Sequence, residues 1–119
     1  MSCICCLLRD MCPEMETGVK SALRGAQGQE LQSLLPQKWV IETGIESVSF
    51  MIDEKGNAFT QDGLRGDRDV TVLWDHDLLA MAVKSRHGSG VSADRRPTIT
   101  FHSAEGEKAF ELLRHMLGI

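Results

Sequence analysis

From Ser47 to Asp53 the chain reads with a period of two: Val48, Phe50 and Ile52 alternate with Ser49, Met51 and Asp53, giving one strongly apolar face. A strand of this kind cannot stand alone, because its apolar face must be buried against another layer while its backbone finds partners on both edges. The neighbours supply those partners. Lys38–Thr43 is rich in β-branched and aromatic residues and is followed by Gly44 as a turn residue, while Glu54-Lys55-Gly56-Asn57 is a compact turn signal after which Ala58–Gln61 can return as a third strand. The three form a meander.

The covering layer is written at helical spacing on either side of it. Met15, Val19, Ala22 and Leu23, then Leu31, Leu34 and Leu35, describe one broken helix or two short ones, with Gly25 and Gly28 weakening the middle and Pro36 ending the run. Beyond a polar loop from Asp62 to Asp69, the stretch Val70–Trp74 is a fourth strand with apolar residues on both faces, as a covered or central strand has. Asp75 is placed to cap the helix that carries Leu78, Leu79, Ala82 and Val83 and ends before Gly88. Residues 85–96 are polar and read as a surface loop. Thr98–Phe101 is a fifth strand, and Ser103, aided by Glu105, caps a last helix with Ala109, Phe110, Leu113, Met116 and Leu117 on one side. The expected fold is α+β: a single layer of about five mostly antiparallel strands covered on one face by helices.

At 119 residues there is room for one domain and one core. With 42% hydrophobic and 25% charged residues and a net charge of −4, composition argues against disorder and against a nucleic-acid binder, which usually carries a basic face. No apolar run approaches the ~20 residues of a membrane span. The segment Cys3–Leu8 lacks the parts of a secretory signal, so the expected location is the cytoplasm. All four cysteines (Cys3, Cys5, Cys6, Cys12) fall in the first twelve residues, so no disulfide framework can staple the body. Residues 1–14 read as a flexible, reduced leader ahead of a domain at 15–119. Two alternatives are an S-acylated anchor beside Ile4, Leu7 and Leu8, and a four-thiolate zinc site, which adjacent Cys5 and Cys6 make awkward.

The succession of elements from about Val19 to Leu117 resembles the sterol carrier protein 2 family of small lipid-binding domains. The residues that carry the likeness are the hairpin Ser47–Gly56, the unit Asp69–Met81 with its Val-Thr-Val strand, acidic cap and paired Leu78 and Leu79, and Pro97–Phe101 followed by the final helix. The sequence departs from that family at His87–Arg96, where a polar loop stands in place of a short aromatic-bearing helix. The chain also ends in Met116-Leu117-Gly118-Ile119, with no peroxisomal address.

The resemblance implies a tunnel between sheet and helices that takes a fatty acyl, sterol or prenyl chain, with possible delivery to a partner enzyme or a membrane surface. The candidate lining is Val48, Phe50, Ile52, Val72, Leu78, Leu79, Ala82, Phe101, Phe110, Leu113 and Met116, each of which would serve equally well as plain core. Catalysis is not expected. His76, His87, His102 and His115 have no thiol in the body to activate, and no nucleophile elbow, Walker loop or zinc pair is present, so neither cofactor nor metal is anticipated. Arg86, Arg95 and Arg96 with His87 make a local basic patch suited to a solvated face or an anionic head group. The alternative function is a protein–protein interaction module of the same fold whose cavity is filled by side chains.

Overall fold

The alternation at Val48, Phe50 and Ile52 becomes the second of five strands in a computed structural model that describes residues 3–63, 66–85 and 96–114. In chain order the elements are α1 (Ile4–Leu23), α2 (Gly28–Leu34), β1 (Gln37–Glu42), β2 (Ser47–Ile52), β3 (Ala58–Asp62), β4 (Val70–Leu73), α3 (His76–Ser85), β5 (Thr98–Phe101) and α4 (Ala104–Leu113). They form a five-stranded sheet in the order β3-β2-β1-β4-β5. The meander β1-β2-β3 and the pair β4-β5 are antiparallel, while β1 and β4 run parallel, so the sheet is mixed and the α+β expectation holds.

Register decides which side chains share a face. Trp39 stands opposite Phe50 and Val70, and Ile41 opposite Val48 and Val72, while Val70 and Val72 face Phe101 and Ile99. Trp39, Ile41, Val48, Phe50, Val70 and Val72, with the apolar stripes of all four helices, make one buried cluster, with Ile99 packed at its edge. On the opposite face Lys38, Val40 and Glu42 align with Met51, Ser49 and Ser47. Val40 and Ser49 are nonetheless fully buried. The described ends of the connection from β3 to β4 touch this face. Gly63 accepts a hydrogen bond from the Ser49 hydroxyl (2.8 Å), and Gly66 lies beside the Lys38 ammonium. Among the described residues Leu73 is half exposed on that face along with Phe59, although β4 is, as expected, an interior strand, flanked by β1 and β5.

The boundary expected between residues 14 and 15 does not exist as a break: α1 runs through it without interruption. Ile4, Leu8, Met11, Met15 and Val19 form one stripe at helical spacing, and all five are buried in the core. Pro13 removes one helical donor, but it and Arg9, whose carbonyl loses the bond, are on the exposed side where water serves instead. Anchors distant in sequence hold the helix. The Glu46 carboxylate, from the β1-β2 turn, accepts the backbone N–H groups of Ile4 and Cys5, and Glu16 Oε1 accepts the Ala58 N–H at 3.0 Å. His76, 4% exposed at the start of α3, bonds Thr43 Oγ1 through Nδ1 (3.0 Å) and has Nε2 4.0 Å from Glu46, joining the starts of α1 and α3 to the same turn.

Asp53 shapes the β2-β3 turn. Its Oδ1 accepts the N–H groups of Lys55 and Asn57 at 2.9 and 2.8 Å, and its Oδ2 accepts the Asn57 amide at 3.0 Å. Desolvation pushes this carboxyl up, but the bonds from Asn57, Lys55 and Gly56 together outweigh it and hold the group below its ordinary value. Gly56 adopts φ +89°, and a Cβ there would press on Val19, Lys20 and Leu23, so the turn needs glycine both for its conformation and for its seat on α1.

Candidate functional site

The expected lining residues divide by position. Val48, Phe50, Ile52, Val72, Leu79, Ala82, Phe110 and Leu113 are all members of the buried cluster, with Leu78 packed at its edge. Phe101 is 38% exposed because β5 is an edge strand, although its ring still meets Phe110 edge-on at 5.7 Å. Met116 lies outside the described residues, as do Arg86, His87 and Arg95 of the basic patch and the loop reading for residues 86–95. The centre of the cluster is a residue absent from the expected lining: Trp39, whose ring lies 6.2 Å from Phe50 and 5.2 Å from Phe110. Its indole N–H donates to Gln37 Oε1 (3.0 Å), and the Gln37 amide donates to the Leu34 carbonyl (2.7 Å), so the buried polar groups are paired.

α4 is seated by Asp69. Its Oδ1 accepts the Ser103 hydroxyl at 2.8 Å, its Oδ2 accepts the Lys38 N–H at 3.0 Å, and its carbonyl accepts the His102 N–H at 2.8 Å. Ser103 Oγ in turn accepts the Gly106 N–H (2.9 Å), the helix cap expected from the sequence. The Asp75 cap of α3 is also formed, with Oδ1 accepting from Asp77 and Leu78. At Gly106 the helix comes so close to the sheet that a Cβ would stand 2.4 Å from the Asp69 carbonyl oxygen. The clamp fixes Phe110 and Leu113, one and two turns further on.

Next to Leu113 the three helices leave a gap. A groove of about 360 Å³ is lined by Gly18, Ser21 and Ala22 of α1, Gln27 and Leu31 at the start of α2, and Leu112 and Leu113 of α4. Its floor is apolar, since Leu31 and Leu113 belong to the core cluster, and its rim carries the hydroxyl of Ser21 and the amide of Gln27. Gly18 keeps the wall low on the α1 side. The volume falls within the ~300–1,000 Å³ of small-molecule sites, and four of the seven lining residues, Ala22, Leu31, Leu112 and Leu113, are apolar. Of the expected lining, Leu113 alone among the described residues reaches this groove; the rest of the wall comes from α1, the start of α2 and Leu112 of α4.

Two shallower depressions are different in character. One, of about 390 Å³, is bounded by Trp74, Asp75, Leu78 and Arg96; the other, of about 420 Å³, by Gly66, Asp67, Arg68 and His102. Their charged walls suit water or a polar partner better than a hydrocarbon. Among the described residues no three metal-ligating side chains gather. The four-thiolate alternative also fails on geometry, because Cys5 and Cys12 are buried while Cys3 and Cys6 face solvent. No described helix is long and apolar enough to cross a membrane.

Fold and groove together define a small α+β domain with a mixed five-stranded sheet and an apolar cleft between its helices. No family model and no curated protein matches the chain. Among solved structures it is similar to one described as "UbiJ-SCP2 Ubiquinone synthesis protein", with 17% identity and a TM-score of 0.47 over 88% of this chain and 96% of that one.

Proposed function

We propose that this protein is a non-catalytic carrier of a single apolar chain of fatty acyl, sterol or prenyl type, which lies in the groove between α1, α2 and α4. The observation that carries the reading is the groove itself, an apolar floor made by Leu31 and Leu113 under a rim on which the described residues place two uncharged polar side chains, Ser21 and Gln27. Long hydrocarbon chains are the ligand class for which contact alone suffices, since each buried methylene contributes about 0.8 kcal/mol. The succession of elements resembling the sterol carrier protein 2 family supports the same reading. Release of the chain to a partner enzyme or a membrane surface, from a cytoplasmic location, belongs to this proposal.

The test is a groove-filling substitution. Ala22 is half-buried on the groove wall, so Ala22→Trp occupies the cleft without displacing a core side chain. Affinity for a fluorescent fatty acid is expected to fall about tenfold, or ~1.4 kcal/mol, with a nearly unchanged Tm. Leu113→Trp serves as the contrast: Leu113 is 1% exposed, so the larger ring overpacks the core and lowers Tm as well. A wild-type protein that shows no saturable binding, and from which organic extraction releases no stoichiometric lipid, refutes the carrier and leaves the interaction module.

A further inference from the structure

The cysteines that the fold does not need in its core are two, and they are placed together. Cys3 is the N-cap of α1 and Cys6 lies in its first turn; both are exposed. The Cys3 sulfur accepts the Cys6 backbone N–H at 3.2 Å, and the neighbouring Cys3 sulfur pushes the Cys6 thiol up from its ordinary value. Residues three apart at the start of a helix have Cα atoms about 5 Å apart, inside the ~4.4–6.8 Å that a disulfide spans. The other two cysteines are differently employed. Cys12 donates to the Leu8 carbonyl at 3.3 Å and is pushed up by burial and by Glu16, while Cys5 packs in the core beneath the Arg9 guanidinium, 3.6 Å away.

We propose that Cys3 and Cys6 form a thiol–disulfide exchange site whose substrate is a low-molecular-weight disulfide of the glutathione type. Cys3 is the attacking group. Its sulfur is capped by the N–H of Cys6 at the start of the helix. Cys6 is the resolving group, held protonated by the neighbouring Cys3 sulfur, with desolvation adding to the effect and the Arg9 charge opposing it. In the first step the deprotonated Cys3 sulfur bonds to one sulfur of the substrate disulfide and the other leaves as a thiolate, which takes up the proton that Cys3 released. In the second, Cys6 loses its proton, bonds to the Cys3 sulfur and expels the remaining half of the substrate as a thiol. Two protein thiols are oxidised to one disulfide, and one small disulfide is reduced to two thiols.

The full-length protein is equilibrated in graded ratios of oxidised to reduced glutathione, alkylated, and analysed by intact mass and peptide mapping. The wild type is expected to lose two hydrogens, to carry a Cys3–Cys6 link and to leave Cys5 and Cys12 alkylatable on unfolding. Cys6→Ser should retain one glutathione on Cys3, and Cys3→Ser should take up glutathione at least tenfold more slowly. Both substitutions fall on exposed thiols, and circular dichroism verifies that each variant is folded. A wild type that keeps its glutathione while Cys6 stays reduced, or that links through Cys5, Cys12 or a second chain, overturns the proposal.

Discussion

Gly106→Ala sets two magnitudes against each other at the start of α4. Helix propensity alone favours alanine by up to about 1 kcal/mol, since glycine loses more backbone freedom on folding. The structure opposes it. The new Cβ would meet the Asp69 carbonyl oxygen at 2.4 Å, its carbon at 2.9 Å and the Asp69 Cβ at 3.0 Å. The atoms in the way are mostly backbone, on a residue that also bonds Lys38, His102 and Ser103, so they cannot step aside as a flexible side chain would. The helix must lift instead, which strains the cap and loosens Phe110 and Leu113. Overpacking costs of ~1–3 kcal/mol less that gain leave ~0–2 kcal/mol, and because the obstructing atoms are backbone held by three bonds the contact falls in the upper half of that range, a net loss of about 1–2 kcal/mol. In a domain of this size that is a fall in Tm of roughly 4–10 °C, read by thermal denaturation followed by circular dichroism. Probe affinity at the groove should weaken with it, because Leu113 is part of the floor. A variant as stable as the wild type or more so would refute the close seating of α4 on Asp69.

Leu8→Ala removes a fully buried side chain from the stretch expected to be a leader; a loss of ~2–5 kcal/mol in urea denaturation is expected, whereas a loose leader would give no change. Asp53 links turn stability to pH: its depressed carboxyl contributes stability above its unfolded value, and the contribution is lost as pH falls through the folded value. Acid titration should therefore show a stability component in the wild type, at the acid end of the carboxylate range, that Asp53→Ala lacks; parallel curves for the two proteins would contradict the turn geometry.

What could be read from the chain alone was local. The face of β2, the caps at Asp75 and Ser103 and the stripe of α4 as far as Leu113 each depend on residues within a few positions of one another, and each appears as expected, while Met116 and Leu117 lie outside the described residues. The first turns of α1 are hidden because a terminal stretch shows no local sign of the partners that would order it, and because the group that caps Ile4 is Glu46, 42 residues away. The stripe Ile4, Leu8, Met11, Met15 and Val19 was nevertheless in plain view. So was the spacing of Cys3 and Cys6, which acquires meaning only once a helix starts at Ile4. The groove was legible at Leu113 alone, since Gly18, Ala22 and Leu31 become neighbours of α4 through the angles at which helices pack. Likewise the burial of Val40 and Ser49 depends on where a loop touches the sheet, which no periodicity encodes.

The two anchors of α1 carry a consequence for the order of assembly. Glu46 and Ala58 each lie 42 residues beyond their partners in the helix, so neither bond can form until the meander exists. During vectorial synthesis at ~5–20 residues per second, α1 therefore passes several seconds with its apolar stripe open and no sheet to receive it. An amphipathic helix waiting in this way is a natural client for a chaperone. Substitutions that slow the β2-β3 hairpin, such as at Gly56, should therefore raise aggregation of the nascent chain more than their effect on the finished fold would suggest.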